Sequence, residues 1–331
     1  MRKNTEYIIG TIITSLLVII LAGMLGYIFR PTDTDSTYGR IKSFHELPPD
    51  KIDVIIYGSS HAANGVNTNE IYRKYGIGAY NYGTNWQSID TVKLFVQDSL
   101  LTQSPKLAVI ETFRAGRVQK DTDITGEIYF TRYLDNRTGK FQYLKRCFGY
   151  NTERWLSYYM PLCAFHDNWN SLTEQSFKKL DDIYSTTTLQ EVQNMLGYVP
   201  NDTTVKIHLP NYSEMSQDDL SEEALSELDE IMTICKDNDI EVLFITIPYA
   251  LTYCYNDSIE KYSAENGCKY LNMFDYMDEM HLDEETDFRD EGHLNTRGAT
   301  KVADFLGAYI RDNYDLRDVR SDGDQFWDGI E

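Results

Sequence analysis

Asp53-Val-Ile-Ile-Tyr57-Gly58-Ser59-Ser60-His61 is the stretch that decides the fold. Val54 to Tyr57 is an unbroken apolar run that stops at a glycine. A run this short, bounded by glycine, suits a parallel strand buried on both faces. Parallel α/β sheets bind ligands beyond the carboxyl ends of their strands, so a serine here is presented to a cleft by a rigid element. Gly58 permits the tight turn, and the backbone N–H of Ser60 can point at a developing oxyanion. Serines after strands are also common turn residues, and Gly-Ser-Ser-His is not the GxSxG elbow.

On either side the chain alternates strand with helix. Asn67 to Lys74 reads as helix with Gly76 as its stop. Ala79 to Tyr82 is a second strand, ending at Gly83. Helix follows over Ser88 to Leu101, closed by Pro105, and Leu107 to Ile110 is a third strand. Residues 117–215 break the rhythm and read as an insertion covering one edge of the sheet. Ser216 to Asp237 then reads as a helix capped by Ser216, with an apolar stripe from Leu220 to Cys235. Glu241 to Ile247 and Tyr270 to Phe274 are further strands, and Thr296 to Tyr314 is the last helix. This is α/β class: a three-layer α/β/α sheet of about five parallel strands.

Composition narrows the function. The 331 residues suffice for one large domain, and a net charge of −21 disfavours nucleic acid, which needs a basic patch. The 25 tyrosines suit either carbohydrate contacts or core packing. Five cysteines, Cys147, Cys163, Cys235, Cys254 and Cys268, form no CxxC pair and suggest no zinc site. Scattered thiols are the plain reading, with a Cys254–Cys268 bridge open if the domain is exported.

Tyr7 to Phe29 carries no charge. At about 1.5 Å per residue this run spans a bilayer core. Arg2 and Lys3 precede it and favour a cytoplasmic N-terminus, against Arg30 behind it. No small-x-small cleavage site follows, so an uncleaved anchor is expected rather than a signal peptide, with the acidic remainder outside the membrane. The expected organisation is a cytoplasmic start at 1–6, an anchor at 7–29, a linker at 30–50 with Pro31, Pro48 and Pro49, and an extracytoplasmic domain at 51–331.

A second motif lies near the far end: Asp290-Glu-Gly-His293-Leu-Asn-Thr-Arg-Gly298. Asp-x-x-His lets the carboxylate meet imidazole Nδ1–H and leaves Nε2 free as a base. A serine hydroxyl needs such a base to act as a nucleophile. Thr296 is the expected helix cap, and Gly298 would allow close packing onto the sheet. The bland alternative is an acidic surface loop with one structural histidine.

Taken together, the two motifs resemble the SGNH (GDSL-like) hydrolase superfamily over roughly residues 51–116 and 240–312. The resemblance implies Ser60, His293 and Asp290 as a catalytic triad. It also implies Gly83 as a second-block glycine donating an N–H to the oxyanion. Two positions depart from the pattern. Ser59 stands where the family has aspartate, and the third strand ends in Glu111-Thr-Phe-Arg114 without the third-block asparagine. Asn85 or Arg114 are the candidates to replace it; a missing donor is typically worth a factor of ~100–1,000 in rate.

Gly-Ser-Ser-His with Asp-x-x-His-Leu-Asn-x-x-Gly-Ala, behind an anchor, looks like the bacterial alginate O-acetylation and teichoic-acid D-alanylation proteins. That implies an extracytoplasmic serine O-acyltransferase or esterase acting on acylated cell-surface glycan. Its implied partners are an acyl donor and a membrane-bound O-acyltransferase; no cofactor or metal is implied. The alternative of a different class is a membrane-anchored glycan-binding or assembly subunit with a degenerate site. Three further residues are weighed both ways: His61 as substrate contact or turn residue, and His166 and Trp169 as acceptor site or packing. His45, His208, His281 and the acidic run at 278–291 have no metal-binding spacing.

Overall fold

Val54–Tyr57 forms strand β1, with all four residues buried. It pairs in parallel with β2 (Ala79–Asn81) on one side and β3 (Leu107–Glu111) on the other. Two further parallel strands, β4 (Glu241–Thr246) and β5 (Lys269–Asn272), complete the order β2-β1-β3-β4-β5. The structure, a computed structural model, describes residues 2–30, 34–119, 127–174, 176–178, 186–251 and 253–330.

Alternate residues of the strands enter two separate cores. Ile55, Tyr57, Ala108, Ile110, Val242 and Phe244 face one, while Val54, Ile56, Leu107, Val109, Leu243 and Ile245 face the other. Burial on both faces is why these strands read as continuous apolar runs rather than as alternating ones. The first face is covered by α5 (Ile89–Ser99) and the helix Glu222–Asp237, the second by α4 (Thr68–Tyr75) and the helix Thr296–Asn313. This is the three-layer architecture with five parallel strands expected from the sequence.

The helix expected from Ser216 begins later. Ser221 is its N-cap, accepting from Ala224 N–H, and Ser216–Gln217 instead pairs with Tyr253–Cys254. The Thr296 cap is likewise displaced by one residue: Asn295 accepts from Gly298 N–H. All five cysteines are free thiols.

The largest departure concerns the expected linker. Helix α1 (Arg2–Phe29) is followed by α2 (Thr34–His45), whose Ile41 and Phe44 are fully buried. Phe44 stacks on Tyr82 at 4.2 Å and meets Tyr80 edge-on at 5.0 Å. Arg40 is buried too. It donates to the carbonyls of Gly197 (2.5 Å), Gly83 (2.9 Å) and Ala63 (3.3 Å), and burial lowers its pKa to about 10. The segment is thus part of the domain, because Ile41 and Phe44 fall on a face that enters the core beside the sheet. Pro31, and residues 120–126 and 179–185 of the expected insertion, lie outside the described residues.

The insertion does reach a sheet edge. β2 is an edge strand, and Asn81 N–H donates to Leu196 O at 2.9 Å. The helix Arg137–Phe148 packs on α5, where Arg146 pairs with Asp90 and Glu227. Over Thr5–Phe29, α1 is long and apolar enough to cross a membrane, and its most apolar stretch is not buried by the rest of the protein.

Truncating Phe44 tests whether α2 belongs to the core. Phe44→Ala is expected to lower unfolding stability by about 3–5 kcal/mol, measured by denaturant titration of the detergent-solubilised chain. A linker residue would shift it by less than ~0.5 kcal/mol.

Candidate active site

In this sheet order the winding reverses between β1 and β3, the point at which open parallel sheets form a crevice at the carboxyl ends of their strands. β1 ends at Tyr57 and β3 at Glu111, so the Gly58–His61 turn and Glu111 lie at that reversal. Ser60 opens the short helix α3 (Ser60–Gly65), with Ser59 as N-cap accepting from His61 N–H. At a helix start the first N–H groups have no carbonyl partner within the helix, which leaves Ser60 N–H available to a ligand.

His293 reaches Ser60 from the other end of the chain. Phe288–Asp290 and His293–Leu294 form a small antiparallel pair in which Asp290 lies opposite His293. Glu291 and Gly292 are the two-residue connection. The Asp-x-x-His spacing is therefore that of a tight hairpin, which brings residues three apart face to face. His293 Nδ1 lies 2.7 Å from Asp290 Oδ1, and His293 Nε2 lies 2.7 Å from Ser60 Oγ. Gly292 N–H also donates to Asp290 Oδ1, at 2.8 Å, and fixes the carboxylate. The hairpin tip is tied to the loop after β4 by Ala250 N–H donating to Glu291 O at 2.7 Å.

Gly298 serves the hairpin rather than the sheet. A Cβ there would lie 2.3 Å from the Asp287 carbonyl oxygen, so the last helix can approach only with glycine at this position. Asp287 is fully buried and pairs with Arg297 at 3.1 Å and Lys301 at 2.6 Å, clamping hairpin to helix.

The electrostatics suit a base. Burial holds the His293 pKa below the ordinary 6.5; the Asp290 carboxylate opposes this and Arg289 adds to it. His293 is then largely neutral at physiological pH, with a lone pair on Nε2 toward the serine.

The other expected residues divide into two groups. Thr84 N–H donates to Gly58 O at 3.0 Å, which draws the Gly83–Asn85 loop alongside the nucleophile turn, with Asn85 half-buried. Gly83 packs against α3: a Cβ would lie 2.9 Å from Ala63 N and 3.0 Å from Ala62 Cβ. Its N–H, expected free for an oxyanion, already donates to Asn81 Oδ1 at 3.2 Å. The Asn81 amide is held in that pose by donating to Ala62 O and Val66 O. Arg114 follows β3 and lies over the Trp86 ring at 5.4 Å. His61 is buried, its ring 3.8 Å from Phe113 and 5.2 Å from His293.

His166 and Trp169, expected at an acceptor site, are placed elsewhere. Their turn, His166–Ser171, packs against α1, and Asn168 Nδ2 donates to Phe29 O at 3.0 Å. Both side chains are exposed there. Polar aromatic residues suit an exposed surface as readily as a sugar site, so their type carried no signal of this placement.

Glu111 is the residue the sequence reading passed over. Its carboxylate is buried and accepts from Phe113 N–H (2.6 Å), Ser59 N–H (3.1 Å) and Ser59 Oγ–H (2.8 Å). An acid closing the run Leu107-Ala-Val-Ile-Glu111 was the available signal. A charge at the sealed end of a central strand is costly unless it has a task.

No family model matches the chain, and no curated protein matches it. Among solved structures, a "putative acylhydrolase" from Bacteroides fragilis NCTC 9343 is similar at 12% identity. The match covers 86% of this chain and 98% of that one, with a TM-score of 0.40. At that similarity no residue assignment rests on it.

Gly58 is the sharpest test of the turn. It has φ +142°, and a Cβ would sit 2.6 Å from Glu111 Cβ. Gly58→Ala is expected to slow fluorophosphonate labelling of Ser60 on the order of 10²-fold, the scale of a displaced nucleophile, with the protein still folded by circular dichroism.

Proposed function

We propose that the protein is a membrane-anchored serine O-acyltransferase or esterase that works through an acyl-serine on acylated cell-surface glycan. One observation carries this reading: the continuous Ser60–His293–Asp290 hydrogen-bond chain, 2.7 Å at each link. A neutral imidazole between a hydroxyl and a carboxylate is the arrangement that activates serine.

In this reading His293 Nε2 takes the Ser60 proton as Oγ attacks an acyl carbonyl. The oxyanion is met by Ser60 N–H, and Asp290 stabilises the imidazolium. Collapse breaks the bond to the leaving oxygen, which takes the proton from His293. A glycan hydroxyl or water then gives its proton to His293 and attacks the acyl-serine, and Ser60 recovers its hydrogen as it leaves. Glycan as acceptor, a membrane-bound O-acyltransferase as acyl supplier and an extracytoplasmic site are carried by the sequence resemblance. Arg2 and Lys3, in the first turn of α1 and ahead of its charge-free run, support the orientation.

A second reading, a non-catalytic glycan-binding or assembly subunit, is favoured by the engagement of Gly83 N–H with Asn81. In the catalytic reading the oxyanion must either do without that donor or displace the Asn81 amide.

Turnover of an activated acetyl ester by the full chain in detergent separates them. Ser60→Ala and His293→Ala are each expected to remove roughly 10⁴-fold or more of kcat. A folded wild-type protein that neither turns over nor takes up fluorophosphonate would sustain the second reading.

The pH dependence has a definite sign. The base must be neutral, so activity should rise with pH through an ionisation below 6.5, the ordinary histidine value. Asp290→Asn is expected to lower kcat by about 10⁴-fold, because it favours the wrong tautomer of His293. Initial rates across pH check both.

A further inference from the structure

The two residues that break the family pattern touch each other. Ser59 Oγ donates to Glu111 Oε2 at 2.8 Å and lies 3.2 Å from His61 Nδ1. The result is a buried chain, Glu111–Ser59–His61, directly behind the turn that carries Ser60. At its far end His61 Nε2 is buried without a hydrogen-bond partner among the described residues. It faces the hairpin: a Cβ on Gly292 would lie 3.8 Å from this nitrogen.

We propose that Glu111, Ser59 and His61 form a proton-sharing positioning unit, in which the ionisation state of Glu111 sets, through Ser59, which ring nitrogen of His61 carries hydrogen. The proposal deepens the reading of Ser60 as nucleophile and rests on it only for its effect on rate.

The charged form of His61 is excluded by its surroundings. Burial, then His293 and Arg114, keep its pKa well below 6.5, so only the choice of tautomer remains. Glu111 has two states. Burial pushes its carboxyl up to about 7, against the hydrogen bonds from Phe113 and Ser59 and the charge of Arg114. The other titratable groups facing it, the Tyr249 and Tyr253 hydroxyls, are both raised by burial and stay neutral in this range.

The protons balance. With Glu111 ionised, Ser59 O–H donates to Glu111, His61 Nδ1–H donates to Ser59 Oγ, and Nε2 is bare. When the unit takes up one proton, that proton binds Nε2. The Nδ1 proton passes to Ser59 Oγ, and the Ser59 proton passes to Glu111 Oε2. Glu111 and His61 both end neutral, and Nε2–H now points toward the hairpin.

Ionised Glu111 accepts three donors at once and so holds the Gly58–Ser59 turn most firmly. Its negative charge also favours the imidazolium that forms on His293. The rate should therefore rise a second time as pH increases through about 7, above the step that belongs to His293.

The test uses the full chain in detergent micelles, isotope-labelled at histidine nitrogen, with His61 assigned by its loss in His61→Gln. Its ring-nitrogen shifts are followed from about pH 5 to about pH 9, across the range in which histidine ordinarily titrates. Hydrogen is expected to move from Nε2 to Nδ1 as pH rises through about 7, without an imidazolium signal. Glu111→Gln and Ser59→Ala should each abolish that switch; Ser59→Ala decides the matter if Glu111→Gln does not fold. A single His61 tautomer at every pH, or a switch that survives in the folded variants, overturns the proposal. Alongside, Glu111→Gln should lose the second rise in fluorophosphonate labelling and label on the order of 10²-fold more slowly at the alkaline end. Failure of the wild-type protein to label would sink the nucleophile reading, while the nitrogen shifts would still decide the relay.

Discussion

A carboxyl group taken out of water costs several kcal/mol unless donors meet it. Glu111, sealed at the end of a central strand, imposes that condition on everything around it. Its donors are the N–H and hydroxyl of Ser59 and the N–H of Phe113, so the turn after β1 must close over the end of β3. That closure leaves no room for a side chain at Gly58 and aims Ser60 into the crevice where the sheet order reverses. The His293 hairpin then docks from above, held by Asp287 against the last helix and by Ala250 at its tip. Ser60 and His293 are brought together by two independent anchors that are remote in sequence.

Much of this was legible in the residues. The central strands β1, β3 and β4 are short apolar runs, and burial on both faces leaves little else they can be. Asp290 and His293 were legible through their spacing, because a two-residue turn permits one pairing. Boundaries were less secure where two residues offer the same chemistry. Ser216 and Ser221 are both serines followed by acids, and only pairing with Tyr253–Cys254 tells them apart. The segment Thr34–His45 hid its role behind polar composition, since its apolar anchors are few, Ile41 and Phe44, and a buried arginine, Arg40, shares the work. Glu111 was hidden differently: one acid at a strand end reads as the start of a loop until its donors are seen.

α1 presents the opposite physical situation from the sheet. Its isoleucines, leucines and valines from Ile8 to Leu21 are more than half exposed, an apolar surface far larger than water tolerates. Its C-terminal part joins the domain, with Gly26 packed against Pro161 and Leu162; just beyond the helix Arg30 is buried and donates to the Tyr133 hydroxyl at 2.6 Å. Such a helix is long and apolar enough to cross a membrane, and its C-terminal end has a defined seat on the domain.

Arg40 links that seat to the chemistry. One guanidinium satisfies carbonyls from the insertion (Gly197), the second-strand loop (Gly83) and the nucleophile helix (Ala63). Removing α2 would strand three buried acceptors, each costing about 1–3 kcal/mol. The loop that carries Gly83 and Asn85 would lose its backing at the same moment. Helix α2 thus works as a keystone: the geometry around Ser60 depends on a segment that lies outside the sheet and follows directly on α1.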